Sequence, residues 1–340
     1  MAAGSQSLTH SGSRCWQTRS FCRRDFLKLG GAAALGVAFL PAPQETPIGM
    51  GRVTRAVKRR DQPSAFAGQL GVYYADSVVN IYEEKVGDPE PAHNPIWFRV
   101  DEGWVHSSFV QPVRNELNPP ILEIPEGGFL AELTVPFTQA WHNAKRAAYR
   151  FYYASTHWVD RAVTDEKGNV WYRVIDDRYH VYYFVLAEHL RRVADEELTP
   201  ISPDVLDKRI EVDLPQQRLA AYENGNAVFT ARLSSGRAGF LTPTGSFRVE
   251  RKRPSRHMAA NDGGGNGFDL PGIPWVAYFY WSGVAFHGTY WHNDYGRPRS
   301  RGCVNLTPAD GKWIFRWTLP VVPPGEDYVQ DRNGTEVIVF

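Results

Sequence analysis

The chain is poor in cysteine. Only three of its 340 residues are cysteine, and two of them, Cys15 and Cys22, fall in the first two dozen positions. Cys303 is the one thiol in everything that follows, so the later residues have no intramolecular disulfide to draw on. Long hydrophobic runs are missing as well. The mild apolar stretch from Leu29 to Leu40 is about a dozen residues, against the roughly 20 that a bilayer-spanning helix needs. Charge of one sign is not in excess, with 38 Lys and Arg against 37 Asp and Glu. That balance conceals a split. Residues 1–60 hold ten Lys and Arg and two Asp and Glu, which leaves 28 against 35 for the rest. No basic stripe interleaved with aromatics remains there, and this excludes nucleic acid as the expected partner. An apolar content of 43% with 22% charged residues describes a globular chain, and its length predicts two or three domains.

The basic head reads as an address. Cys22-Arg23-Arg24-Asp25-Phe26-Leu27-Lys28, followed by a Gly/Ala-rich apolar run, has the layout of a twin-arginine export signal over residues 1–43. It predicts the twin-arginine translocation machinery as a partner and the cell envelope as the destination, with membrane anchoring if the signal is retained. Residues 44–67, rich in Pro, Gly and basic side chains, read as a flexible linker.

Short alternating runs broken by Asp-Pro, Asn-Pro and Asp-Glu-Gly then predict small β-barrels. Trp97-Phe98-Arg99-Val100 recurs as Trp171-Tyr172-Arg173-Val174, and His106-Ser107-Ser108-Phe109-Val110 is echoed by His180-Val181-Tyr182-Tyr183-Phe184. A period near 74 residues predicts one module over 68–117 and a second over 118–200. Both are similar to bacterial SH3-type domains. That resemblance implies wall binding, with a packed spacer as the equal alternative.

Residues 207–340 form the last predicted domain. Asn224-Gly225 marks a tight hairpin. Thr307-Pro308-Ala309-Asp310 has the form of a helix start, with Thr307 as the cap, and Trp313 and Trp317 share one face of the helix that follows. Just before it lies Cys303, sixteen residues after His287. A lone cysteine is most often a small buried hydrophobe, but a thiol beside an imidazole can act as a nucleophile. Gly302 lets the backbone turn sharply and a substrate come close. Backbone N–H groups around Gly302 and Cys303 would receive an oxyanion. A metal held by His287, His292 and Cys303 is the rival reading, though it lacks a clear fourth ligand.

His287-Gly288-Thr289 followed by Ser300-Arg301-Gly302-Cys303-Val304-Asn305-Leu306 resembles the signature of the L,D-transpeptidase (YkuD-type) family. Leu241-Thr242-Pro243-Thr244-Gly245-Ser246-Phe247 is similar to a second segment of that family. The resemblance implies a mainly β protein: two SH3-like barrels, then a β-sandwich catalytic domain with one or two short helices. It implies an exported enzyme that cross-links peptidoglycan stem peptides through a cysteine thioester. The donor is a tetrapeptide that releases D-Ala, and the acceptor is an amine. Cys303 would be the nucleophile and His287 the general base, the two giving a thiolate poised near neutral pH. The Gly288 carbonyl would orient His287, and Gly302 and Arg301 would supply oxyanion N–H groups, Arg301 alternatively holding an anion. Tyr290, Trp291, Ser300 and Asn305 would contact the substrate. Neither cofactor nor metal is implied. Arg301 stands where the family usually has histidine. The alternatives are a non-catalytic wall-binding protein, or an L,D-carboxypeptidase that uses the same thiol.

Overall fold

Alternation of apolar and polar residues sends most of this chain into strands, and the computed structural model describes them over residues 45–340, apart from 89, 144–145 and 261–266. The export segment, Cys15, Cys22 and most of the Gly-rich stretch 261–267 lie outside the described residues. Among the described residues no helix is long and apolar enough to cross a membrane.

The first module starts earlier than the sequence suggests. Gly49–Val53 is the central strand of a three-stranded sheet, between Val78–Ile81 and Val110–Val113. Val57–Arg60 belongs to a five-stranded sheet with Gln69–Tyr73, Gly103–His106, Ile96–Val100 and Glu83–Val86. The expected linker over 44–67 is therefore corrected: Gly49–Val53 and Val57–Arg60 within it are strands of two sheets. Its basic residues mislead because they are not all solvated. Arg52 is buried, and its guanidinium donates to Gln111 at 2.8 Å and to Asp76 at 3.0 Å. Gly51 is required where the two strands cross, since a Cβ there would lie 2.3 Å from Val110 Cγ1.

The second module is a seven-stranded antiparallel sheet running from Phe129–Leu133 to Leu190–Arg192. A succession of elements recurs between the two stretches. Ile96–Val100, Gly103–His106, the 3-10 turn Ser107–Phe109 and Val110–Val113 recur as Val170–Ile175, Tyr182–Leu186, the 3-10 turn Ala187–His189 and Leu190–Arg192. The counterpart of the turn after His106 is therefore Ala187–His189. His180 instead occupies a left-handed turn (φ 55°) ahead of the strand, because the second copy has a longer connection there.

The last domain is a sandwich of two five-stranded sheets. One runs Asn226–Arg232, Arg218–Glu223, Lys208–Asp213, Glu336–Val339, Gly245–Arg248; the other runs Val304–Leu306, Ala285–Gly288, Phe268–Tyr278, Arg251–Ala260, Val329–Gln330. Ile210, Val212, Leu219 and Val337 from the first meet Ala277, Phe286, Val304 and Leu306 from the second. The single described α-helix, Pro308–Trp317, starts as the sequence predicts: Thr307 Oγ1 accepts from the Asp310 N–H at 3.1 Å. It buries Ile314, Phe315 and Trp317, each contributing about 1.5–3 kcal/mol of burial. Beyond its last turn, the buried Lys252 ammonium donates to the carbonyls of Thr318 (2.8 Å) and Pro320 (2.7 Å), and also to that of Phe315, in keeping with the preference for cations at a helix C-terminus.

Candidate active site

His287 and Cys303 are brought together by two short strands that pair in parallel. Phe286 faces Val304, His287 faces Asn305 and Gly288 faces Leu306. Side chains alternate along a strand, so Cys303, two residues before Asn305, shares a face with His287. Both open on a cleft of about 870 Å³ that Trp291, Arg301 and Asn305 also line. Helix Pro308–Trp317 locks the histidine strand from behind. Gly311 packs directly on Gly288, and a Cβ at Gly311 would sit 2.7 Å from the Gly288 nitrogen. A side chain at either glycine would therefore push strand and helix apart.

The resting proton states differ from the expected poised thiolate. His287 is buried, and that burial drops its pKa to about 4, offset in part by its bond to Gly288. The ring is neutral at pH 7, and Nδ1–H donates to the Gly288 carbonyl at 3.0 Å. This leaves the Nε2 lone pair as the base, in agreement with the orienting role expected of Gly288. Burial likewise pushes the Cys303 thiol up to about 11, the Ala285 N–H pulling part of the way back. The thiol donates to the Gly283 carbonyl at 3.8 Å. Nucleophile and base are thus an uncharged pair at rest, and the thiolate has to form as substrate arrives. Catalytic hydrogen bonds in unliganded sites commonly tighten only in the complex.

Ser300, expected to contact substrate, lines the cleft and also braces the turn before Cys303. Its hydroxyl accepts the Gly302 N–H at 3.1 Å and donates to the Cys303 carbonyl at 2.5 Å. The Gly302 N–H is therefore already engaged at rest and reaches an oxyanion only by leaving Ser300. Gly302 itself has φ +112°, in the region glycine tolerates best. Thr242, from the second family-like segment, donates to the Gly302 carbonyl at 2.8 Å and accepts the Gly236 N–H at 2.9 Å. Arg301 places its guanidinium 4.2 Å above the Phe240 ring.

Tyr290 is a further correction. It is 1% exposed, and its hydroxyl donates to the Pro271 carbonyl at 2.7 Å, so it belongs to the core. Trp291 does reach the cleft, its ring centroid 5.6 Å from that of His287. Asn305 lines the cleft, and the histidine beside it decides how its amide points. Burial drops the His292 pKa to about 3, so the ring is neutral. Nδ1 accepts the Asp294 N–H at 3.2 Å, which leaves Nε2 as a donor toward the Asn305 amide 2.9 Å away. A donor there calls for the Asn305 oxygen. That turns the amide NH₂ to the buried position that otherwise has no partner.

Two clusters escaped the sequence reading. Asp294 is fully buried and takes His93 at 2.6 Å, Arg297 at 2.7 Å and Arg299. Burial works against its charge, but hydrogen bonds from Ser108, His93 and Arg299 hold the carboxyl well below the usual range. His257 lies between Asp176 (2.5 Å) and Asp269. Burial works against its charge too, yet the two carboxylates outweigh it and raise its pKa. Each cluster joins residues more than 80 positions apart, and no local pattern announces such a pair.

Comparison with known proteins gives matches to the last domain. Residues 207–339 match the L,D-transpeptidase catalytic domain. The Bacillus subtilis protein YciB, which bears the L,D-transpeptidase name, is 27% identical over 128 residues, 33% of this chain and 63% of its own. The catalytic domain of the Enterococcus faecium L,D-transpeptidase is 28% identical over 39% of this chain and 97% of its own, with a TM-score of 0.32. The Stackebrandtia nassauensis L,D-transpeptidase is 26% identical over 39% of this chain and 55% of its own, with a TM-score of 0.28. The match thus spans less than two thirds of the curated relative's length. The C-terminal domain is an L,D-transpeptidase catalytic domain of the YkuD family.

Proposed function

We propose that the chain is an exported L,D-transpeptidase acting on peptidoglycan stem peptides. The observation that carries this is Cys303 and His287, both in the matched domain, on one face of a parallel strand pair and opening on the same cleft. As the sulfur attacks the carbonyl that precedes a terminal D-Ala, its proton passes to His287 Nε2, and the Gly288 carbonyl keeps Nδ1 protonated. The carbon–sulfur bond forms, and backbone N–H groups of the Arg301–Cys303 turn receive the oxyanion once Gly302 leaves Ser300. The carbon–nitrogen bond then breaks, and D-Ala departs with the imidazolium proton. An amine of a second stem gives a proton to Nε2, attacks the thioester and restores the thiol; water in its place would make the protein a carboxypeptidase. The basic head with its twin arginines supports export by the twin-arginine route to the cell envelope.

The test is direct. The purified protein and its Cys303→Ala form are incubated with disaccharide tetrapeptide, and products are read by mass spectrometry. D-Ala release and dimers are expected from the first alone. Equal products from both forms overturn the mechanism.

A further inference from the structure

Among the described residues, the cleft that holds Cys303 is lined by seven arginines, including Arg178, Arg251, Arg253 and Arg256, and by no Asp or Glu. This is a local inversion, because beyond residue 60 the chain carries more acidic than basic residues. Three of the four named arginines lie on or beside one strand, Arg251–Ala260. The fourth, Arg178, comes from the second module. It reaches the cleft because the turn that carries it is pinned to the catalytic domain. Asp177 accepts from Arg256 at 2.5 Å and from the His257 N–H at 2.8 Å, and Asp176 holds the His257 ring at 2.5 Å.

The pinning uses up part of the charge. Arg253 and Arg256 share Asp177, and Arg253 also faces Asp327 at 3.2 Å. Among the described residues no carboxylate forms an ion pair with Arg178 or Arg251, whose guanidinium groups lie over Tyr179 and Tyr278. A concave site whose wall presents Arg178 and Arg251, with no ion-paired carboxylate among the described residues, attracts an anionic ligand. The planar fork of Arg suits carboxylate oxygens in particular.

We propose that this wall, completed by Arg178 of the second module, binds free carboxylates on the acyl-donor stem peptide, so that unamidated stems are selected over amidated ones. The inference rests on the transpeptidase reading for the identity of its ligand. It makes the second module part of the substrate site, beyond the role of a spacer.

The experiment compares two donor tetrapeptides, one with its side-chain carboxylates free and one with them amidated, in steady-state assays of the full chain. Amidation is expected to raise KM about tenfold with kcat little changed, which is about 1.4 kcal/mol of binding. Arg178→Ala and Arg251→Ala should each raise KM about five- to tenfold for the free-acid peptide and leave the amidated one nearly unaffected. Arg114→Ala, which removes an exposed charge far from the cleft in sequence, should change neither. Binding of the same peptides to Cys303→Ala protein, followed by calorimetry at two salt concentrations, separates the two ideas. Charge-selective binding without turnover by the unaltered protein would leave the carboxylate wall standing and remove the transpeptidase reading. Turnover with equal KM for both peptides, or an equal KM change for both in Arg178→Ala, would overturn the wall. So would tighter binding of a polyglycerol phosphate probe than of the free-acid peptide.

Discussion

The two N-terminal modules share a succession of strand, strand, 3-10 turn and strand, yet they meet the catalytic domain in different ways. The first grips the segment that follows His287. Arg52 donates to the Tyr290 carbonyl at 2.6 Å, the Asn293 N–H donates to the Ser108 carbonyl at 3.2 Å, and His93 reaches the buried Asp294. None of its described residues lines the active-site cleft. The second module grips the hairpin of Arg251–Ala260 and Phe268–Tyr278. Asp176 and Asp177 hold His257 and Arg256, the Tyr149 hydroxyl donates to Asp269 at 2.7 Å, and Gly272 makes room for the His157 ring. Among the described residues of the two, this module alone places one, Arg178, in the cleft wall. Two copies of one motif thus serve as a brace for a loop and as a side of a site.

That contrast can be broken most forcefully at Asp294. Asp294→Ala leaves His93, Arg297 and Arg299 without their shared carboxylate. The expected loss is about 3–5 kcal/mol, the usual result of orphaning a buried ionic partner. Calorimetric melting of the full chain measures it, and a loss below about 1 kcal/mol would show that the first module's grip does not depend on this hub. His257→Leu is the matching cut on the other side. It deletes two charge-assisted hydrogen bonds and leaves two carboxylates facing a hydrocarbon, with an expected cost of about 1.5–3 kcal/mol and a rise in KM as Arg178 loses its mount.

The second contact also carries a pH signature that sharpens the comparison. His257 is raised in the folded protein, so it binds its proton more tightly folded than unfolded. Its stabilising contribution is complete below the unfolded value of about 6.5 and fades as pH rises through the folded value. The stability gap between the unaltered protein and His257→Gln should therefore narrow as pH increases from about 6 upward. A gap that stays constant with pH would mean that the ring is neutral between its aspartates.

Neither module touches the sulfur. With the thiol held up at about 11 by burial, the alkylation rate of Cys303 should keep climbing through about pH 9 in the unaltered protein and in the His257 variants alike. A plateau near neutrality would restore the poised thiolate. The smallest effect is expected at Arg178→Ala. This exposed side chain should change stability by less than about 0.5 kcal/mol while KM moves, and a comparable loss of stability would make it a structural residue.

The sequence by itself determined much of this protein. The Asn224-Gly225 hairpin, the Thr307-capped helix and the placing of His287 and Cys303 on one cleft rest on local chemistry: turn dihedrals, caps, alternation and a short contiguous motif. It misjudged 44–67, Tyr290 and the thiol for one shared reason. Composition says what a residue is able to do, whereas burial decides what it does. Arg52 buried between strands, a tyrosine sealed in the core and a thiol raised by its surroundings are products of packing. Only the tertiary structure assembled the Asp294 hub, the His257 clamp and the arginine wall, because each joins charges far apart in the chain. Their attraction matters only once folding has brought them within a few ångströms of one another and taken the water away.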